Sequence, residues 1–137
     1  MSFTDEKRAF EDRFKTQWGS TSPVRWEGLP FKFPDPAIPW VGFYVRSGPS
    51  NRITVGPNPL VRYAGNIVVQ VFAPEGQPMA TASGYLDTIA TIFREVEFSY
   101  NNSGLIRCYQ PDVRVIGTDN GWFQRNVVCP YIRDKQF

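Results

Sequence analysis

Proline is concentrated in one short segment of the chain, and this segment limits the possible folds. Four prolines fall within ten residues: Pro30, Pro34, Pro36 and Pro39. Because proline has a fixed φ and no backbone N–H, such a segment can form neither a helix nor a central strand. We therefore predict that residues 28–39, the proline arm, run extended over the surface in a polyproline II-like conformation, anchored by Phe31 and Phe33.

Two segments show the 3.6-residue apolar period of an amphipathic helix. The first spans residues 3–18 and is followed by Gly19, a typical stop signal. The second spans residues 79–94. Each is predicted to turn one apolar stripe into the core: Phe3, Phe10, Phe14 and Trp18 in the first helix, and Ala82, Leu86, Ile89, Ala90 and Phe93 in the second.

Most of the remaining segments alternate apolar and polar residues, as strands do. The predicted strands span residues 24–27, 40–46, 52–55, 60–73, 95–100, 105–109, 112–116 and 122–132. The 60–73 segment is apolar on both faces near its end, so it is predicted to be central in its sheet. Gly65 within it permits a bulge or a bend.

Turns are predicted between several of these strands, at residues 47–51, 101–104 and 118–121. The last contains Asn120-Gly121, a pair that tolerates positive φ at both central positions of a tight hairpin. The order of helix, strands, helix and strands predicts an α+β fold. We expect a mixed, mostly antiparallel sheet packed against two helices, as a single domain over residues 1–137.

The amino-acid composition argues against most kinds of catalytic site. The chain has no histidine, the commonest general base and metal ligand. Its two cysteines, Cys108 and Cys129, are too few for a structural zinc site of the usual kind. The charged start of the chain is unlike a signal peptide, so synthesis in a cytoplasm and reduced, buried thiols are predicted. A disulfide between the two cysteines remains possible if their strands pair.

Carboxylates are the remaining candidates for catalysis. A pair drawn from Glu27, Asp35, Glu95 and Glu97 could in principle serve glycoside chemistry. Glu95 and Glu97, however, have the spacing of the solvated face of a strand. The chain also lacks the glycine-rich motifs that bind nucleotides. We therefore predict that the protein is not an enzyme and holds no metal or cofactor.

Charge and hydropathy say little about partners. The formal net charge of +2 is too small to favour nucleic acid or a membrane surface by bulk attraction. No apolar run approaches the roughly 18 residues of a membrane-spanning helix. Arginines beside aromatic residues, as in Arg25-Trp26 and Arg62-Tyr63, suit either single-stranded nucleic acid or a protein interface. Both interpretations stay open on these residues alone.

Short motifs accompany the predicted elements over nearly the whole chain. They lie at residues 1–5, at 24–27 followed by 29–31, in the 40–45 strand, in the long strand and Ala-Pro-x-Gly turn at 63–76, and at 121–128. The second helix follows that turn directly. In motifs and in element order, the sequence resembles phage tail terminator proteins, the small tail-completion proteins of long-tailed phages.

The resemblance implies a structural virion protein with a small α+β fold and no catalytic residue. Such proteins assemble as a hexameric ring in the host cytoplasm. The ring caps the head-proximal end of the tail tube, stops tube polymerisation and presents a surface to the head connector. Its expected partners are the tail-tube protein and a connector or neck protein, and DNA passes through it without sequence-specific binding.

A closed ring needs heterologous interfaces, in which one patch meets a different patch of the neighbour. The proline arm and an irregular loop at residues 47–60 are predicted to supply them. The 60–73 strand, with 52–55 as a hairpin, is predicted to add to a neighbour's sheet. The predicted subunit or tube interface consists of Phe31, Phe33, Arg46, Arg52, Arg62 and Tyr63.

Two other functions remain alternatives to a tail terminator. The first keeps the phage context and makes the protein a neck or head–tail connector component. The second is a small module that binds a ligand or single-stranded nucleic acid. A tail terminator should block elongation of tube subunits, a connector should bind only the portal side, and a nucleic-acid module should be a monomer whose affinity falls steeply with salt.

Overall fold

The computed structural model describes residues 2–34, 37–76, 78–99 and 104–137. The elements are α1 (Ser2–Trp18), β1 (Val24–Trp26), β2 (Trp40–Arg52), β3 (Leu60–Pro74), α2 (Ala80–Phe93), β4 (Glu97–Ser99), β5 (Leu105–Cys108), β6 (Asp112–Asp119) and β7 (Trp122–Gln136). Among the sequence predictions, the candidate carboxylate Asp35, the strand residue Tyr100 and most of the 101–104 turn lie outside the described residues.

Seven strands form one mixed sheet in the order β1-β2-β3-β7-β5-β4. β6 pairs with β7 beside β5, at residues 122–128 of β7. Among the described strands, β1 alone runs parallel to its neighbour, and the other pairings are antiparallel. Together with the two helices, this sheet makes one compact α+β unit and confirms the predicted fold class.

β3 is the central strand, as predicted. It pairs with β2 along one edge and with β7 along the other, from Leu60 opposite Gln136 to Pro74 opposite Trp122. Because both edges are occupied, the predicted addition of the 60–73 strand to a neighbour's sheet is wrong. The same pairing carries β7 four residues beyond its predicted end at residue 132, since β3 supplies a partner for each of them.

Both helices pack on one face of the sheet, and Phe14 lies where they meet it. Its ring centroid is 4.9 Å from that of Phe43 on β2 and 6.2 Å from that of Phe93 on α2. The core collects the apolar face of the sheet and the helix stripes: Phe10, Phe14, Trp18, Phe43, Ile67, Val69, Leu86, Ile89, Phe93, Ile106 and Val127.

The predicted stripe of α1 is wrong at its first residue. Phe3 is 54% exposed and packs edge-on against Tyr63, with 5.4 Å between ring centroids. In the first turns, Glu6 is the residue of α1 that is buried instead. Glu6 lies one turn before Phe10 on the same stripe, and the sheet below it presents Arg133, which requires a carboxylate at that place.

β2 continues through the residues predicted as a turn (47–51) and does not restart as a separate strand at 52–55. One extra residue of β2 is accommodated between Ser47 and Ser50, where the register with β3 shifts. A bulge of this kind absorbs Pro49, which has no N–H for the ladder, without ending the pairing. The predicted turn at 47–51 and the predicted separate strand at 52–55 are therefore both wrong, because a bulge takes the place of the turn.

Gly65 of β3 lies opposite this bulge, so the irregularity is in the partner strand and not in β3 itself. A Cβ at Gly65 would lie 2.6 Å from the Tyr131 hydroxyl oxygen and would also collide with the Arg46 carbonyl oxygen. Glycine is needed there to let the Tyr131 side chain pass close to the backbone.

The hairpin between β6 and β7 turns as the sequence predicts. Asn120 and Gly121 have φ values of 50° and 82° and connect Asp119 to Trp122, which pair directly. Positive φ at both central residues is the hairpin geometry that matches the twist of the flanking strands. β6 extends three residues beyond its predicted end at 116, with a register shift between Val115 and Gly117.

Candidate functional site

The sheet face opposite the helices, the bare face, carries an aromatic cluster at one end. Trp40 stacks on Phe72 with 4.2 Å between ring centroids, and Trp122 meets Trp40 edge-on at 6.2 Å. These side chains alternate with core residues such as Val41, so they point away from the helices. We define the aromatic cluster as Phe31, Phe33, Trp40, Phe72 and Trp122.

The proline arm lies over Trp40 and contributes Phe31 and Phe33 to this cluster. Its described residues form neither helix nor strand, as predicted. The ring centroids of Phe31 and Phe33 lie 4.8 and 5.6 Å from that of Trp40. Both therefore anchor the arm, as predicted, although Phe33 remains 57% exposed.

A groove of about 540 Å³ opens beside the arm. Its apolar walls are Phe33, Trp40, Phe72, Trp122 and Ile116, and we call it the aromatic groove. Trp40 is buried, and no described residue accepts a hydrogen bond from its Nε1–H. A buried donor without an acceptor costs about 1–3 kcal/mol, so the described residues leave a polar group at this end of the bare face unsatisfied.

The opposite end of the molecule is the turn between β2 and β3, residues 53–59, which we call the hairpin tip. Arg52 fixes its shape by donating from Nε to the Thr54 carbonyl at 3.0 Å and from Nη2 to the Gly56 carbonyl at 2.6 Å. Thr54 Oγ1 accepts a 2.7 Å hydrogen bond from the Leu60 N–H. Val55 is held at the tip with 93% of its surface exposed.

The other predicted interface residues lie between these two ends. Arg46 is exposed on the bare face opposite Asn66, and no hydrogen bond or ion pair joins it to a described residue. Arg62 donates from Nε and Nη2 to the two carboxylate oxygens of Asp134, at 2.8 and 2.9 Å. These hydrogen bonds hold the pKa of Asp134 below its usual value.

Tyr63 lies on the helix side of the sheet, not on the bare face. Its ring covers the Arg133 guanidinium, with Cζ 4.1 Å from the ring centroid. The predicted interface residues therefore do not form one site. Phe31 and Phe33 meet at the aromatic cluster, Arg46 stands alone, and Arg52, Arg62 and Tyr63 share the half of the hairpin near its tip.

A buried polar network next to Tyr63 was missed by the sequence analysis. Arg133 donates from Nε to Glu6 Oε2 at 2.6 Å, and Tyr131 and Ser47 donate their hydroxyls to Glu6 Oε1. Burial, with the hydrogen bond to Glu6, raises the pKa of Tyr131. The sequence did contain a pattern that indicates this network. Arg133 continues the buried alternation of Val127, Cys129 and Tyr131. A buried arginine requires an acid partner.

The candidates for catalytic chemistry lie apart from this network. Cys108 and Cys129 are free, buried thiols, and their mutual hydrogen bond and burial raise the pKa of Cys108. Glu97 is exposed and pairs with Arg107 at 3.0 Å. Glu95 is exposed in a turn with a φ of 50°, so its predicted place on a strand is wrong.

The described residues offer neither a metal site nor a membrane-spanning helix. Residues 2–34, 37–76, 78–99 and 104–137 contain no group of three or more side chains suited to hold a metal. Over the same ranges, neither helix is long and apolar enough to cross a membrane.

A protein of known structure shares this architecture. One solved structure superposes on the whole chain and on 97% of its own length, with a TM-score of 0.76 and 21% sequence identity, which shows a shared fold. No curated protein matches the sequence. A family model described as phage tail terminator protein matches residues 7–131, from α1 to β7. The chain therefore belongs to the phage tail terminator family and is a component of the virion tail.

Proposed function

We propose that this chain caps the head-proximal end of the tail tube as a hexameric ring, stops tube polymerisation and offers a surface for head–tail joining. The match to the tail terminator family over residues 7–131 is the observation that carries this proposal. The role is structural rather than catalytic, assembly takes place in the host cytoplasm, and DNA passes through the ring without sequence-specific binding.

The open edge of β2 supports the formation of a ring. β1 pairs with β2 only at Val41–Phe43, and within the described chain no strand lies beside the outer edge of β2 from Tyr44 to Arg52. Unpaired edges of this length are templates for another chain. We propose that this edge, and not the 60–73 strand, receives a neighbouring subunit.

Two parts of the surface support contact with the tube or the next subunit. The bare face carries Phe31, Phe33 and Arg46, and the half of the hairpin near its tip carries Arg52, Arg62 and Tyr63. These six remain the proposed interface residues. Arg46 gives the cleanest test, since its substitution breaks no described hydrogen bond or ion pair. We expect Arg46→Glu to leave the monomer folded and to abolish assembly, while Arg8→Glu, an exposed arginine on α1, leaves assembly unchanged.

Polymerisation of the tail-tube protein tests the capping role directly. The purified chain is added to elongating tubes, and tube length is measured by electron microscopy. Capping stops growth at chain concentrations far below that of the tube subunit, because one ring per tube end is enough. A chain that leaves tube length unchanged and binds only the portal-side complex is a connector, and the capping proposal is then wrong.

A small module that binds single-stranded nucleic acid is the remaining alternative function. It would remain monomeric in the presence of tubes and bind single strands with an affinity that falls steeply as salt rises. Size-exclusion chromatography with and without tubes, combined with a salt titration of oligonucleotide binding, separates this function from a ring-forming one.

A further inference from the structure

We propose that the hairpin tip of one subunit seats in the aromatic groove of the next, so that successive subunits join head to tail. This inference rests on the proposed ring and names the contact that closes it. It is carried by three features: an apolar tip held in a fixed shape, a groove lined by aromatic rings, and the placement of the two at opposite ends of one molecule.

The hairpin tip is built as a rigid, uncharged projection. Residues 53–59 contain Pro57 and Pro59 and no charged side chain. The two hydrogen bonds from Arg52 to tip carbonyls hold the backbone in place while Val55 stands in solvent. A segment that is already ordered loses little conformational entropy on binding, so its exposed apolar surface is available for association.

The aromatic groove has the chemistry that an apolar, proline-containing segment needs. Grooves lined by aromatic rings bind such segments because proline packs against the rings. Trp40 and Trp122 supply rings, and Trp40 Nε1–H lacks an acceptor among the described residues. Trp40 lines the groove, so an occupant of the groove packs directly against its ring.

The two surfaces lie too far apart to meet within one chain. Phe72 in the groove and Leu60 beside the tip lie near opposite ends of β3, about 40 Å apart at the usual rise of a strand. A contact between opposite ends of two copies is heterologous, and heterologous contacts close into rings when the rotation permits. The same contact can therefore repeat at each subunit boundary.

Cross-linking in assembled tails tests the contact. We combine Val55→Cys with Thr118→Cys, an exposed residue lining the groove, and treat the completed tails with a short bismaleimide. The native Cys108 and Cys129 are buried and do not compete. The matched control combines Val55→Cys with Thr88→Cys, an exposed residue on α2, and circular dichroism verifies that both variants fold.

The expected result is a ladder of covalent multimers on a denaturing gel up to the full ring, with the control remaining monomeric. Rings that are visible by electron microscopy but yield no more multimers than the control overturn the tip-in-groove contact and leave the capping function intact. Cross-links from the tip to the tube protein instead of to the next subunit also overturn it. If the unmodified chain neither forms rings nor stops tubes, the proposed function itself fails.

Discussion

The two faces of the sheet are covered to different extents. On the helix face, Phe14 is enclosed by α1, α2 and the sheet, and Glu6 has three hydrogen-bond donors around it. On the bare face, among the described residues, only the proline arm covers the aromatic cluster, none accepts a hydrogen bond from Trp40 Nε1–H, and Arg46 is exposed. We propose that one face stabilises the monomer and the other serves assembly.

The largest expected loss of stability lies on the helix face. Phe14→Ala removes a fully buried ring and should reduce the free energy of unfolding by roughly 3–5 kcal/mol. The comparison variant Phe33→Ala, on the bare face, should cost about 1 kcal/mol or less, because the ring is more than half exposed. Urea denaturation of the monomer measures both. Equal losses would contradict the division between the faces.

Breaking the buried network should have the next largest effect. Glu6→Gln preserves shape but removes the carboxylate charge that pairs with the buried Arg133, which should cost about 3 kcal/mol. Glu11→Gln, on the same helix but only half-buried, should change stability by about 0.5 kcal/mol or less. Thermal unfolding followed by circular dichroism distinguishes the two. A Glu6 variant as stable as the Glu11 variant would show that the network contributes nothing.

The smallest effect on stability is expected for the substitution of Asp134, and this effect depends on pH. Because the hydrogen bond from Arg62 lowers the pKa of Asp134, its contribution is complete above the usual carboxyl pKa and is lost as pH falls through the lowered folded-state value. The wild type should therefore lose slightly more stability than Asp134→Asn between about pH 5 and pH 2. Asp87→Asn, an exposed carboxylate on α2, is the control and should keep the wild-type slope.

Features set by short stretches of sequence were predictable. The two helices, the Asn120-Gly121 hairpin and the proline arm follow from periodicity, turn chemistry and proline geometry, and the structure has all three. The bulge in β2 was not predictable in the same way. Pro49 and its neighbours have the composition of a turn, and only continuous pairing with β3 shows that the strand passes through them.

The buried network and the aromatic cluster depend on contacts between distant residues. Glu6 and Arg133 are separated by 127 residues, so the alternation that marks Arg133 as buried could not show that Glu6 is its partner. The aromatic cluster likewise joins the proline arm to three strands. Arg52 shows the limit of reasoning from residue type: it was predicted at an interface by its chemistry, and the structure uses its guanidinium to shape the hairpin tip.

Hydroxyl-radical footprinting of the chain alone and in completed tails tests the central claim most directly. The method measures the oxidation of individual side chains, and the relevant probes are Phe33, Trp122 and Val55 on the assembly surfaces and Tyr85 on α2. The account predicts that assembly protects the first three and leaves Tyr85 as reactive as in the monomer. Protection confined to Tyr85 and the helix face would contradict it.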